Sequence, residues 1–392
     1  MHYTIHRASV QQHAAESLRA CLRLKDYGPA CTARVLLHVL FTACSRLCSL
    51  SAACWLLATA PSRETIRRAA LQALKAKDDL LRRLNRALAF EVPRRLLRRP
   101  QQVAIDLVLI PYHGLPFDTE LEVYRSQARS GTSHFHAYAT AYVNYRGQRF
   151  TLALTSVARG EKMPEVLKRL FRRLSALGVT ARLVLLDRGF WSVAVIRYLR
   201  RADKPFLMPV VLRGRKPGHA DGPSGTRVFA ARKRSGWGRY TVKAADGQVA
   251  RVSLGIHCRN YAGQWGRHGR QTLVYAFWGF EASSTRWWRE TYRKRFAIET
   301  SYRQMHQGRA RTCTRDPEVR LLLVGVALVL RKVWVWLHYA VLSTPRRGHC
   351  RYNLERLPLR TLLQWLQHQA EEELGVRGEV SSERPMPQCI GA

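Results

Sequence analysis

Apolar residues between positions 10 and 90 recur every three or four residues with almost no glycine, the spacing of helices that bury one face. Within that stretch, Ser49 to Lys77 (SLSAACWLLATAPSRETIRRAALQALKAK) predicts a short helix, a turn around Pro61 and a second helix capped by Ser62. Thr65, Arg67, Arg68, Lys75 and Lys77 would lie on the second helix, an arrangement compatible with a helix-turn-helix in a DNA groove and equally with a plain bundle carrying a basic face. The run PRRLLRRP, residues 93–100, reads as a basic linker.

From Gln101 the period changes to that of strands. Val103 to Ile110 (VAIDLVLI) predicts a buried strand holding one aspartate, and Ala137 to Asn144 with Arg149 to Val157 predict a hairpin turning at Arg146-Gly147. An amphipathic helix over Met163 to Leu177, closed by Gly178, leads to an apolar strand, Ala181 to Leu186, that ends at Asp187. A helix over Ser192 to Ala202 and a strand over Phe206 to Leu212 follow. Three strands and then alternating helix and strand imply an α/β fold, a mixed sheet with helices on its faces. Residues 213–282 are rich in glycine and basic residues, with strand-like pieces at Thr226 to Ala231, Arg239 to Val242, Val249 to Ile256 and Gln271 to Trp278. They are expected to form a β-rich insertion. Helices are expected over Thr285 to Gln307, Asp316 to Leu342 and Leu359 to Glu373. The expected organisation is a helical, DNA-end-binding domain over 1–100, the core over 101–212, the insertion over 213–282, the core again over 283–345, and a helix and tail over 346–392.

Charge narrows the partners. Lys and Arg number 66 against 27 Asp and Glu, a formal net charge of +39 spread along the chain. Such a protein needs a polyanion, and nucleic acid is the natural one, because each phosphate contact releases a condensed counterion. Two apolar stretches, Val35 to Ala60 and Val319 to Leu342, carry charged or imidazole groups in mid-run (His38 and Arg46; Arg320, Arg331, Lys332 and His338), which suits buried helices and not membrane spans. The start, MHYTIHRASVQQ, has no apolar leader run, so a cytoplasmic, nucleoid-associated protein is expected. Nine cysteines, an odd number with no CxxC pair, read as reduced core thiols; Cys44, Cys48 and His38 are the one set a zinc ion could use.

Three acidic residues stand out. Asp106 sits inside an apolar strand, where a carboxylate is costly unless something stabilises it. Asp187 closes another strand, at the end where α/β sheets bind ligands. Glu299 lies in TYRKRFAIETSYRQMHQ, where Tyr292, Arg295, Glu299 and Tyr302 share one helical face. A glutamate flanked by aromatic and basic residues on one stripe is unlike a solvated surface. His113, just after the first strand, could line the site or be structural, His134 and His136 read as structural, and Asp118, Glu120 and Glu122 as a solvated loop cluster.

These stretches resemble a known family. Tyr292-x2-Arg295-x3-Glu299 matches the Tyr-Arg-Glu-Lys signature of the DDE transposases of insertion sequences. LLDRGFWSVAVIRYLRR is similar to that family's second-aspartate region, and VAIDLVLIPYHG to its first-aspartate strand. The resemblance spans about Val103 to Leu342 and implies an RNase H-like core interrupted by the insertion. The position of the signature lysine holds His306, so Arg303 or Arg309 could take over its phosphate contact. Trp237, Trp265 and Trp278 are the candidates for the tryptophan with which some relatives hold a flipped base.

The resemblance implies Asp106, Asp187 and Glu299 as catalytic ligands of two Mg²⁺ or Mn²⁺ ions, hard cations suited to carboxylate oxygens. It implies phosphodiester cleavage at the ends of a mobile element followed by joining to target DNA. Arg295 would clamp a phosphate, Tyr292 would contact the backbone or stack near the cut, and Arg303, His306, Arg67 and Arg68 would add DNA contacts. The partners implied are double-stranded DNA, both terminal repeats and target, and a second copy as a homodimer, with no membrane. Two alternatives stay open: a nuclease of the same fold that cuts without joining, and a catalytically inactive, domesticated DNA binder.

Overall fold

The protein is described by a computed structural model covering residues 4–74, 76–263, 268–347 and 349–379. Lys75 and Trp265, named above, lie outside the described residues, as does Cys389, one of the nine cysteines. The chain forms two compact units, residues 88–303 and residues 1–87 together with those from 304 onward.

The helical unit begins with α1 (Arg7–Leu22), α2 (Ala33–Arg46), α3 (Leu50–Leu56), α4 (Arg63–Ala73) and α5 (Lys77–Ala89). Hydroxyl caps start three of them: Thr32, Ser49 and Ser62 accept hydrogen bonds from the backbone N–H groups of Val35, Ala52 and Thr65. The Ser62 cap is where the sequence places it. Helix α4 ends at Ala73, earlier than expected, so Lys77 opens α5 and does not extend α4.

The other unit is built around one nine-stranded mixed sheet. After the short helix α6 (Arg94–Leu97), which stands where a linker is expected, come β1 (Gln101–Pro111), β2 (Tyr124–Arg129), β3 (Thr132–Tyr145) and β4 (Gln148–Val157). Then follow α7 (Met163–Ala176), β5 (Ala181–Leu186), α8 (Val193–Arg201), β6 (Phe206–Pro209), α9 (Arg227–Ala230), β7 (Gly236–Lys243), β8 (Val249–Ala262) and β9 (His268–Trp278). The strand order is β2-β3-β1-β5-β6-β9-β8-β7, with β4 also on β3. The β1–β5 and β5–β6 pairs are parallel and the rest antiparallel.

The strands of the expected β-rich insertion continue the core sheet: β9 pairs with β6, Phe206 opposite Trp278, so β7 to β9 lengthen it. One expectation is corrected. Thr226 to Ala231 is a helical turn, not a strand, because the Thr226 hydroxyl bonds back to the Val211 carbonyl and accepts from the Arg213 N–H. The edge strand β2 was not expected at all; its six residues are mostly exposed and carry no apolar alternation.

Strand alternation puts Ala104 and Asp106, Thr140 and Tyr142, and Leu183 and Leu185 on one face. That face is covered by α10 (Thr285–Arg293), a 3₁₀ turn over Lys294–Phe296, and α11 (Ala297–His306), through a core that includes Leu207, Tyr275, Trp288, Tyr292 and Ile298. The single helix expected over Thr285 to Gln307 is therefore broken in the middle. Trp288 packs over Gly255 so closely that a Cβ there would lie 2.4 Å from its indole nitrogen; only glycine leaves room.

The helical unit is completed by α12 (Pro317–Ala340), a small hairpin of β10 (Thr344–Arg346) and β11 (His349–Arg351), and α13 (Leu359–Leu374). Helices α1 and α2 pack against α13, and α1 also against α12. Helix α12 is long and apolar enough to cross a membrane, but 94% of its apolar window is buried inside the protein. Its polar groups find internal partners: Arg320 and Arg331 donate to the Thr314 carbonyl and the Gln304 side chain, and Trp334 and His338 to the Leu357 carbonyl. His38 pairs with Glu373 at 2.8 Å, a carboxylate partner where a zinc ligand was one reading.

Candidate active site

Register decides which acids meet. On β1, Ile105 lies opposite Leu186 of the parallel strand β5, so the next residues, Asp106 and Asp187, fall side by side as β5 ends. On the other flank Asp106 faces Thr140 of β3. Glu299 comes from α11, which crosses the same face and is tied down by Tyr302: its hydroxyl donates to the Asp106 carbonyl oxygen at 2.9 Å and accepts from Thr140 at 2.7 Å. The Tyr142 hydroxyl donates to the Lys294 carbonyl at 2.6 Å and pins the 3₁₀ turn to the sheet.

That turn aims Arg295 inward, at all three carboxylates. Its guanidinium lies 2.7 Å from Asp106 Oδ2, 3.1 Å from Glu299 Oε1 and 3.6 Å from Asp187 Oδ1. Arg295 is 4% exposed, and its guanidinium carbon lies 5.3 Å from the ring centroids of both Tyr292 and Phe296. Arg295, the arginine expected to clamp a phosphate, is buried with its donors turned to the acids. Burial works against the charge of Arg295, but Tyr292, Asp106, Asp187 and Glu299 outweigh it and raise its pKa.

Burial pushes the Asp106 carboxyl up to about 6. Arg295 pulls it down, Asp187 pushes it up, and the Leu107 N–H, 2.9 Å from Oδ1, steadies the charged form. Asp187 and Glu299 differ in setting, with side chains 43% and 47% exposed. The set therefore has a buried floor and an open rim. Beside it, a cavity of about 370 Å³ is lined by Tyr261, Tyr275, Tyr292 and Phe296 together with Arg188 and Arg293.

A model of the transposase DDE domain matches residues 99–331, more than half of the chain. The chain belongs to the DDE transposase family. No curated protein matches the transposase. Among solved structures it is similar to a piggyBac transposase synaptic complex with hairpin DNA, at 11% identity and a TM-score of 0.47, over 99% of this chain and 75% of that one.

The structure brings Asp106, Asp187, Glu299, Arg295 and Tyr292 of the transposase together and leaves the other sequence candidates elsewhere. Tyr292 is buried against Tyr275, 5.2 Å between ring centroids, and forms a wall of the site. Arg303 and His306 are exposed on the last turns of α11. Arg67 and Arg68 belong to the helical unit, exposed on α4, and both bond to Glu64. Of the tryptophans, Trp237 is 48% exposed beside Phe277 and Trp288, and Trp278 lies under Arg200. His113 is exposed, whereas His136 is buried edge-on to Tyr112. Sequence reasoning missed Thr140, Tyr142 and the anchoring role of Tyr302; Tyr302 stood on the glutamate stripe, but its acceptor is a backbone carbonyl that no sequence pattern marks.

Domains of this family use divalent metal ions. The three carboxylates suit such ions in kind, being hard oxygen donors that already converge on one cation. They are spaced around a guanidinium: among the described residues, no three His, Cys, Asp or Glu side chains are set close enough to grip one ion.

Proposed function

We propose that this transposase cleaves DNA at the ends of a mobile element and joins those ends to target DNA by metal-assisted phosphodiester chemistry. The observation that carries this reading is the convergence of Asp106, Asp187 and Glu299, from two parallel strands and a crossing helix, within 3.6 Å of a single guanidinium. Asp106, Asp187 and Glu299 would hold two ions, magnesium or manganese. Divalent ions bound there supply the charge that acidifies an attacking hydroxyl and neutralises the leaving oxygen.

The protein's own groups do the placing. Tyr302 and Leu107 fix the backbone and carboxyl orientation of Asp106, so the most buried ligand needs no rearrangement of its strand. Asp187 and Glu299 stand at the open rim, where a DNA strand reaches them. Burial raises the Asp106 carboxyl to about 6, against the pull of Arg295 and the Leu107 N–H toward the charged form. The net charge of +39 supplies a sequence-independent hold on the phosphate backbone, including that of the target. Two element ends must be joined together, which favours a homodimer, located with its DNA in the cytoplasm and on the nucleoid.

The test is incubation of the full chain with its element-end DNA, a target plasmid and Mg²⁺ or Mn²⁺. Joined end–target products that disappear in Glu299→Ala, with DNA binding kept, are expected. Nicks without joints would remove the joining half of the proposal, and cleavage that survives Glu299→Ala would remove the site.

A further inference from the structure

The three acids at the site share one base. Asp106, Asp187 and Glu299 all converge on the single guanidinium of Arg295. Its two terminal nitrogens reach all three carboxylates, so the guanidinium occupies the space between the oxygens that a cation would use. A magnesium ion demands oxygens at about 2.0–2.1 Å in near-octahedral array, a geometry these oxygens cannot adopt with the guanidinium between them. Nor can the two cations share the space, because a guanidinium and a divalent ion a few ångströms apart in a buried setting repel strongly.

We infer that Arg295 is the resident counter-cation of the metal-free site, a positioning residue that gathers Asp106, Asp187 and Glu299 and must be displaced for a divalent ion to bind among them. This rests on the metal-dependent reading above. Arg295 keeps the excess negative charge from springing the carboxylates apart before metal arrives, which is why a buried arginine with three acidic neighbours is tolerated here. The side chain also has somewhere to go. Tyr292 and Phe296, the two rings beside its guanidinium, line the adjoining cavity of about 370 Å³.

Binding of Mn²⁺ to the DNA-free full chain, followed by the electron paramagnetic resonance signal of free Mn²⁺, tests this without any catalytic readout. Removing the competitor in Arg295→Met is expected to tighten Mn²⁺ binding by about tenfold or more, the worth of one displaced ion-pair partner. Arg295→Lys, whose ammonium reaches fewer oxygens at once, is expected to tighten it by a smaller factor. In thermal melts the metal-free methionine variant is expected to fall below the wild type, and Mn²⁺ to raise it by more than it raises the wild type. Unchanged or weaker Mn²⁺ binding in a folded Arg295→Met protein overturns the inference; should that variant not fold, the same result in Arg295→Lys does so. If the wild type binds Mn²⁺ and the variants match it, only the exchange fails. If none of the three proteins binds Mn²⁺, the metal-dependent function fails with it.

Discussion

Two charge centres, one in each unit, have opposite stoichiometry. In the helical unit Glu373 serves two bases, Arg34 through two hydrogen bonds of 2.6 and 2.7 Å and His38 at 2.8 Å. In the sheet unit a single base, Arg295, serves three acids. Basic residues outnumber acidic ones by 66 to 27, so an acid with two bases is what composition alone would produce. Three acids crowded on one base run against composition. The first arrangement is complete and holds helices together; the second is short of positive charge, and the shortage is what a divalent metal makes good.

The largest effect is expected at the deficient centre: Asp106→Asn or Glu299→Ala should cut metal-dependent cleavage of end DNA by about a thousandfold, several kcal/mol of transition-state stabilisation. A matching Glu373→Gln variant should retain cleavage while melting earlier, and equal losses of cleavage in both would erase the distinction. Next, Gly255→Ala should destabilise the sheet unit by about 1–3 kcal/mol in denaturant titration, because the new methyl must push Trp288 aside.

The two centres should also answer acid in opposite directions. Asp106 titrates at about 6 when folded, above its ordinary value of 3.8. Its contribution to stability is therefore full below about 3.8 and lost as pH rises through about 6, a swing of up to about 3 kcal/mol, read as the wild type minus Asp106→Asn. Burial lowers the pKa of His38 below 6.5 despite the pull of Glu373. The His38 contribution is present above pH 6.5 and is lost as pH falls through its lower folded value, and His38→Gln should flatten that limb. Slopes of the same sign at both centres would contradict the assignment. The smallest effect belongs to the surface of α4: Arg67→Ala should leave the melting temperature alone and lower the salt-dependence slope of end-DNA binding by about one. No change in that slope would take α4 out of the DNA interface.

How much of this was legible in the chain varies with range. Asp106 betrayed itself as a charge in an apolar strand and Asp187 as a strand terminus, and the Tyr292–Arg295–Glu299 spacing marked the helix that crosses them. The strands β7 to β9 were visible as segments, but their joining the core sheet was not, because it depends on pairing Phe206 with Trp278 across an irregular stretch. The break in the glutamate helix was hidden too. Lys294, Arg295 and Phe296 are acceptable helical residues, and the 3₁₀ turn is imposed by the Tyr142 hydroxyl and by the acids that draw Arg295 inward.

By itself, then, the sequence determined the local periods, the strand that buries a carboxylate, the basic excess that calls for a polyanion, and the family signature. All of these are read within a few residues or summed over the whole chain. Tertiary structure alone decided what Arg295 does, because its nearest acid, Asp106, lies 189 residues away and the two meet only when β1 pairs with β3 and β5 and Tyr302 fastens α11 across them. A side chain's period is set by its neighbours in the chain, whereas its electrostatic role is set by whichever charges the fold carries to it.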